Sequence, residues 1–185
     1  MDSELNMDLQ SLAAKIGAEL KKFGLTVSTA ESCTGGGIAA LLTEIPGSSE
    51  WFVGGFVTYS NEWKMKQLGV KAETLEKHGA VSEETVGEML EGLLRNGGAD
   101  YGIAVSGIAG PGGGTPEKPV GTVYVGIANQ SIKCSLQKKC DNPLSEGAVA
   151  IREEIRRCQF SGGRSDVRRA TAETALKMLW NELIG

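Results

Sequence analysis

The sequence has few of the residues on which several common kinds of site depend. It contains a single histidine, His78, and its four cysteines form no C-x-x-C pair. A structural zinc site needs four nitrogen or sulfur ligands at short spacings, so we expect neither a metal nor another cofactor. A Ser-His-Asp triad would depend on His78 alone. This residue precedes Gly79 at a predicted helix end, where a histidine usually complements the helix dipole.

Basic charge and long apolar runs are also scarce. The chain has 19 Lys and Arg against 23 Asp and Glu, a formal net charge of −4. This balance argues against a nucleic acid as the main partner. No apolar run is long enough to span a bilayer, and the acidic start MDSELNMDLQ is unlike a signal peptide. We therefore expect a cytoplasmic protein that binds neither nucleic acid nor a membrane.

What is present indicates one α/β domain. The 185 residues, 41% of them hydrophobic, are enough for one well-buried core. Helical and strand-like patterns alternate, which predicts a largely parallel central sheet covered on both faces. Helices are predicted at residues 9–23, 37–44, 61–68, 72–77, 82–96 and 166–183, and strands at 25–30, 51–60, 101–106 and 120–128. Residues 151–160 would form a helix on propensity alone.

Three segments carry the candidate chemistry. They are ESCTGGG at Glu31–Gly37, PGSSEWFVGGFVTYSNEWK at Pro46–Lys64, and SGIAGPGGG at Ser106–Gly114. Ligands of open α/β sheets bind at the carboxyl ends of strands, so we expect these segments to form the walls of one pocket. The strand, glycine turn and helix around Glu31–Gly37 also form a layout that presents N–H groups to an anion.

Hydroxyl and amine groups in these segments predict a serine–lysine site for amide hydrolysis. Such a pair works without histidine if burial keeps the lysine deprotonated, and Lys64 is the candidate base. The candidate nucleophiles are Ser49, Ser48 and Ser32, whereas Cys33 has no evident base. On the residues alone, a turn serine is more often a cap than a nucleophile, and Lys64 is more often a solvated lysine on a helix surface. Arg164, between glycines and a helix start, is the candidate phosphate clamp.

Taken together and in order, the motifs resemble the CinA C-terminal family, whose members include nicotinamide mononucleotide deamidases. The matching text is TAESCTGGG, PGSSEWFVGGFVTYSNEWK, LGV, HGAVSEE, AVSGIAGPGGGTPEKPVGTVY and FSGGRSDVR, between Thr29 and Arg168. The family also includes two-domain proteins with an N-terminal pyrophosphatase domain. The sequence shows no such domain, so its metal-dependent activity is not expected here.

The resemblance implies a three-layer α/β/α fold for a single domain, residues 1–185, with a largely parallel, mixed sheet. It implies hydrolysis of the carboxamide of nicotinamide mononucleotide to nicotinic acid mononucleotide and ammonia, within pyridine nucleotide recycling, by a homo-oligomer. It also implies a strand, not a helix, at residues 151–160. The chain is longer than the family pattern at about residues 129–150, which predicts an added hairpin or loop.

The resemblance further implies roles for individual residues. Ser49 is the expected nucleophile, Lys64 the general base, and Tyr59 a proton relay or a group that positions the lysine. Ser48 and Ser32 stay open as alternative nucleophiles. The expected substrate-binding residues are Ser32, Thr34, Gly35, Gly36, Ser48, Ser106, Gly107, Gly110, Gly112 and Arg164.

Other classes of protein fit the sequence less well. A short-chain dehydrogenase is disfavoured because Tyr59 and Lys64 are five positions apart instead of four. A phosphate-binding loop of the kinase type would need a G-K-[ST] motif, which is missing. The serious alternative is a nucleotide-sensing or competence-related binding module that keeps the pocket without turnover.

Overall fold

The computed structural model describes residues 2–130 and 151–185. The strands are β1 (Val27–Glu31), β2 (Phe52–Val57), β3 (Tyr101–Gly107), β4 (Thr122–Gln130) and β5 (Ile151–Gln159). The helices are α1 (Asp2–Phe23), α2 (Gly37–Thr43), α3 (Asn61–Leu68), α4 (Ala72–His78), α5 (Glu83–Gly97) and α6 (Arg164–Ile184). A short 3-10 turn covers Ser48–Glu50. The predicted insertion lies almost entirely outside the described residues.

The described strands form a five-stranded mixed sheet in the order β2-β1-β3-β4-β5. β1 pairs in parallel with β2 and β3, whereas β4 is antiparallel to both β3 and β5. Only β4 is therefore reversed, and the other four strands run in one direction. The sheet is mixed, as expected, but its four strand pairs divide equally between parallel and antiparallel.

Helices cover both faces of the sheet. On one face α1, α2 and α6 pack together, and on the other α3 and α4 pack against α5. The periodicity predicts an apolar stripe on α1, of which Leu12 is half-buried and the other residues are buried: Leu9, Ala13, Ile16 and Leu20. The three-layer α/β/α arrangement is confirmed. Among the described helices, none is long and apolar enough to cross a membrane.

Capping residues set the limits of the helices that border the site. α3 covers the predicted residues Asn61–Leu68. Asn61 is also the cap that the sequence predicts, but the cap is Ser60, whose Oγ accepts a hydrogen bond from Trp63 N. His78 is the last residue of α4, and its Nδ1 lies 2.9 Å from a carboxylate oxygen of Glu84. This position fits the structural role expected for the only histidine.

β5 shows where tertiary pairing overrides local propensity. Residues 151–159 pair with β4 along their whole length, as the family resemblance implies and helix propensity does not. Because β5 runs in the same direction as β1–β3, its carboxyl end lies at the same edge of the sheet. The following glycines and Arg164 are therefore delivered to that edge.

Candidate active site

One edge of the sheet collects the two glycine-rich segments and the end of the Pro46–Lys64 segment. The carboxyl ends of β1, β2, β3 and β5 all lie there, together with the loop that joins β3 to the reversed β4. The expectation that the glycine-rich segments share one edge is met, because each follows a strand of the same direction.

Lys64 and Ser32 form the central contact of this edge. Lys64 is only 1% exposed, and its Nζ donates hydrogen bonds to Ser32 Oγ at 3.0 Å and to the Thr58 carbonyl at 2.7 Å. Within residues 2–130 and 151–185, Lys64 forms no ion pair. A buried amine held by a hydroxyl and a carbonyl is an arrangement suited to proton transfer.

Burial lowers the pKa of Lys64 from 10.5 to about 8, because the ammonium is deprived of water without a carboxylate in exchange. A useful fraction of the amine is then neutral at mildly alkaline pH. The neutral amine can keep one N–H on the Thr58 carbonyl while its lone pair accepts the Ser32 hydroxyl proton.

Ser48 and Ser49 lie at the opposite edge of the sheet. They precede β2, whereas Lys64 follows it, and the six residues of β2 span roughly 20 Å. The turn is tied to the far end of α1 by the ion pair of Lys21 with Glu50 at 2.8 Å. The expected Ser49–Lys64 pair is therefore not formed within the chain, and Ser48 lies outside the pocket walls.

Tyr59 lies at the site, but within the described structure it forms no hydrogen bond with the lysine. Its side chain is 59% exposed, and its hydroxyl accepts a hydrogen bond from Arg164 Nη2 at 2.8 Å. Arg164 Nη1 donates to the Gly110 carbonyl at 2.9 Å. Arg164 thus links the segment after β2, which contains Tyr59, to the loop after β3, which contains Gly110.

The N-terminus of α2 is already occupied by a carboxylate of the chain. Glu31 is buried, and its side chain accepts hydrogen bonds from Ile38 N at 3.1 Å and Ala39 N at 2.8 Å. The sequence layout predicts an external anion here, but Glu31 takes that position. Gly35 and Gly36, with φ of 60° and 92°, turn the chain between the strand and the helix.

Of the other residues expected to bind the substrate, some contact the protein itself and some have no partner in it. Ser106 is buried and donates its hydroxyl proton to the Ala80 carbonyl at 2.6 Å. Gly107 allows close packing on Val123, whereas a side chain at Gly112 would meet open space. Thr34 is buried, and its hydroxyl has no partner within the described structure. Gly112 and Thr34 therefore stay candidates for substrate contact, and Ser106 and Gly107 shape the wall.

The sequence reasoning missed Arg168. Its guanidinium donates to the Thr34 carbonyl, with Nη2 at 2.6 Å and Nε at 3.3 Å, and so fixes the segment that carries Ser32. The FSGGRSDVR motif contains the signal, because Arg164 and Arg168 lie one helical turn apart on α6. Neither arginine forms an ion pair with another described residue.

Cys33 is the neighbour of Ser32 in the sequence, but it lacks the properties of a nucleophile. The thiol is buried, and burial raises its pKa to about 11. Most of the group is therefore protonated at any physiological pH. This agrees with the preference for a hydroxyl nucleophile.

The fold and the site define the class of protein: a three-layer α/β domain with a buried serine–lysine contact at the carboxyl edge of its parallel strands. The chain belongs to the CinA C-terminal domain family, whose sequence profile matches residues 9–146.

Similar proteins match nearly the whole chain. Nicotinamide-nucleotide amidohydrolase PncC of Escherichia coli K12 is 45% identical over 96% of both chains. A CinA-like protein of Endomicrobium trichonymphae is 48% identical over 99% of this chain, which corresponds to 38% of that longer protein. The crystal structure of competence/damage inducible protein CihA from Agrobacterium tumefaciens matches with a TM-score of 0.81 and 42% identity over 96% of both chains.

Proposed function

We propose that the protein hydrolyses the carboxamide of nicotinamide mononucleotide to nicotinic acid mononucleotide and ammonia, with Ser32 as nucleophile and Lys64 as general base. The contact between Lys64 Nζ and Ser32 Oγ at 3.0 Å carries the assignment of the residues. The name of the Escherichia coli relative, which aligns over 96% of the chain, supports the substrate.

The first half-reaction transfers the acyl group to the enzyme. Neutral Lys64 takes the proton of the Ser32 hydroxyl as Oγ attacks the carboxamide carbon. The resulting ammonium then protonates the leaving nitrogen, ammonia departs, and an ester on Ser32 remains. In the second half-reaction water attacks this ester, and Ser32 recovers its proton through the same lysine.

Main-chain donors of the two glycine-rich segments are the candidates for stabilising the oxyanion. The N–H groups of Gly36, Ala109 and Gly110 have no acceptor within the described part of the chain. They belong to the two glycine-rich segments on either side of the site. Main-chain donors without an acceptor are available to the charge that develops on the carboxamide oxygen.

Arg164 and Arg168 supply the positive charge for the substrate phosphate. Both project from the first turns of α6, and each contacts a neutral oxygen of a pocket wall. A guanidinium that lacks a carboxylate partner keeps its charge available to a phosphate.

We further propose that the protein acts in the cytoplasm, in pyridine nucleotide recycling, and as a homo-oligomer. Cell fractionation would test the location, and sedimentation would test the oligomeric state.

Ammonia release from nicotinamide mononucleotide tests the proposal. We expect the purified protein to release ammonia, and Ser32→Ala and Lys64→Ala each to lower kcat at least about a thousandfold because nucleophile and base act as a unit. Ser49→Ala is the matched control, since it removes a hydroxyl at the opposite edge. Circular dichroism would verify the folded state of all variants.

Two outcomes would contradict the proposal. Loss of turnover in Ser49→Ala with retention in Ser32→Ala would reassign the nucleophile to the turn before β2. Binding of the nucleotide by the unmodified protein without any ammonia release would favour the nucleotide-sensing module.

A further inference from the structure

Thr58 carries a hydroxyl that the fold leaves unused. The residue is completely buried, and its Oγ1 has no hydrogen-bond partner among the described residues. Its two backbone groups, in contrast, are both engaged: its N–H donates to the Glu31 carbonyl at 2.9 Å and its carbonyl accepts from Lys64 Nζ at 2.7 Å. Thr58 is thus fixed directly beside the proposed general base.

The side chain of Thr58 lies on the side of the sheet from which Lys64 approaches. Side chains alternate along an extended chain, so Thr58 shares a face with Phe56. Phe56 packs against the cluster that contains Leu68 of α3 and the apolar residues of α5. The hydroxyl is therefore on the face of the sheet that α3 and α5 cover, the face from which α3 carries Lys64.

A buried hydroxyl without a partner needs an explanation. Valine has nearly the same shape and would occupy the position without leaving a polar group unsatisfied. What sets Thr58 apart from the other buried hydroxyls without a partner is that its own carbonyl holds Lys64 Nζ, so a partner gained by this hydroxyl in another state would lie close to the proposed base. Small polar sites of this kind are typically satisfied by an ordered water.

The second half-reaction of the proposed mechanism requires such a water. We propose that the Thr58 hydroxyl positions the water that hydrolyses the acyl-enzyme; this inference rests on the serine–lysine mechanism proposed above. The water oxygen attacks the ester carbon of acylated Ser32 while Lys64 takes one of its protons. The C–O bond to Ser32 breaks, Lys64 returns the proton to Oγ, and the acid leaves. Thr58 is a positioning residue in this step and exchanges no electrons or protons with the substrate.

Partitioning between water and an added nucleophile separates this role from a structural one. Hydroxylamine in the reaction captures the acyl group as a hydroxamate, whereas water gives the acid. The ratio of the two products does not depend on the amount of correctly folded protein. It therefore reports how well water is positioned, even if a substitution lowers the yield of active enzyme.

Three substitutions complete the experiment, with nicotinamide mononucleotide as substrate. We expect Thr58→Val to raise the hydroxamate-to-acid ratio about tenfold, the effect of one lost hydrogen bond in the hydrolytic transition state. Thr58→Ser, which keeps the hydroxyl, should restore a ratio near that of the unmodified protein. Thr29→Val is the control, because Thr29 of β1 is equally buried and its hydroxyl is also without a partner.

The outcomes distinguish this inference from the proposed function. An unchanged ratio in Thr58→Val, or an equal rise in Thr29→Val, would overturn the role of Thr58 alone. Ammonia release by the unmodified protein without hydroxamate, and without a covalent adduct on Ser32 after acid quenching, would overturn the acyl-enzyme mechanism and the Thr58 role with it.

Discussion

Lys64 shows how burial alone changes the chemistry of a residue. The charged form loses its water, and the hydrogen-bond partners that the described residues offer it are neutral, Ser32 Oγ and the Thr58 carbonyl. Its pKa is therefore lowered to about 8, within reach of physiological pH. An ion pair in the same place would have kept the amine protonated, so the lack of a carboxylate contact is what makes Lys64 a credible base.

The pH dependence of turnover follows from the lowered pKa of Lys64. Lys64 must be neutral to accept the Ser32 proton, and it becomes protonated as the pH falls below its pKa. We expect kcat/KM to fall about tenfold per pH unit below pH 8 and to level off above it. Lys64→Arg should be inactive at every pH, since a guanidinium stays protonated. A rate that is constant from pH 6 to about pH 9 would rule out Lys64 as the base.

At the scale of elements, the position of Lys64 depends on how closely α3 packs against α5. The end of α3 lies directly on Gly92 of α5, and a Cβ at Gly92 would overlap the carbonyl oxygen of Leu68. Only glycine permits this approach. The distance between Lys64 and Ser32 therefore depends on a helix contact that lies outside the site itself.

Gly92→Ala should displace α3 and so affect both stability and turnover. We expect a loss of about 3 kcal/mol in the free energy of unfolding, typical of overpacking against a backbone, and a lower kcat because Lys64 moves from Ser32. Gly87→Ala is the matched control on the same helix, since its nearest contact would be an ordinary 3.6 Å. It should change stability by less than about 1 kcal/mol, in the stabilising direction. Equal denaturation midpoints for the two variants would contradict the proposed helix contact.

At the scale of the whole molecule, strand direction assembles the site. β5 runs parallel in space to β1 and β3 although β4 separates them, so the start of α6 reaches the edge where Ser32 lies. Arg168 then holds the segment after β1, and Arg164 holds the loop after β3. Residues more than 100 positions apart in sequence thereby form one wall.

The position of Arg164 at the start of α6 predicts that this residue contributes to recognition of the substrate phosphate. Arg164→Ala should raise KM for nicotinamide mononucleotide about tenfold to a hundredfold, the range for a lost charged hydrogen bond, with a smaller change in kcat. Nicotinamide riboside, which lacks the phosphate, should be affected far less. Arg152→Ala is the control, because Arg152 lies at the start of β5, at the opposite end of the strand. Equal losses with nucleotide and riboside would show that Arg164 acts by holding Tyr59 and Gly110 instead.

Local patterns were sufficient for most elements. The limits of α3, the apolar stripes of α1 and α5, and strands β1 to β4 all follow from periodicity, glycine stops and capping residues. Residues 151–159 do not, because their pairing with β4 outweighs a helical preference that is only local. The family resemblance, and not propensity, was what indicated a strand there.

By itself, the sequence determined the class of fold and the segments of the site, because short-range spacing encodes both, whereas Lys64 was indicated as the base by the family resemblance. Which hydroxyl meets that lysine was decided by the tertiary structure. Ser49 is closer to Lys64 in sequence than Ser32 is, but a strand separates them and a strand places its two ends at opposite edges of the sheet. Parallel pairing of β1 with β2 brings the more distant Ser32 to the amine instead.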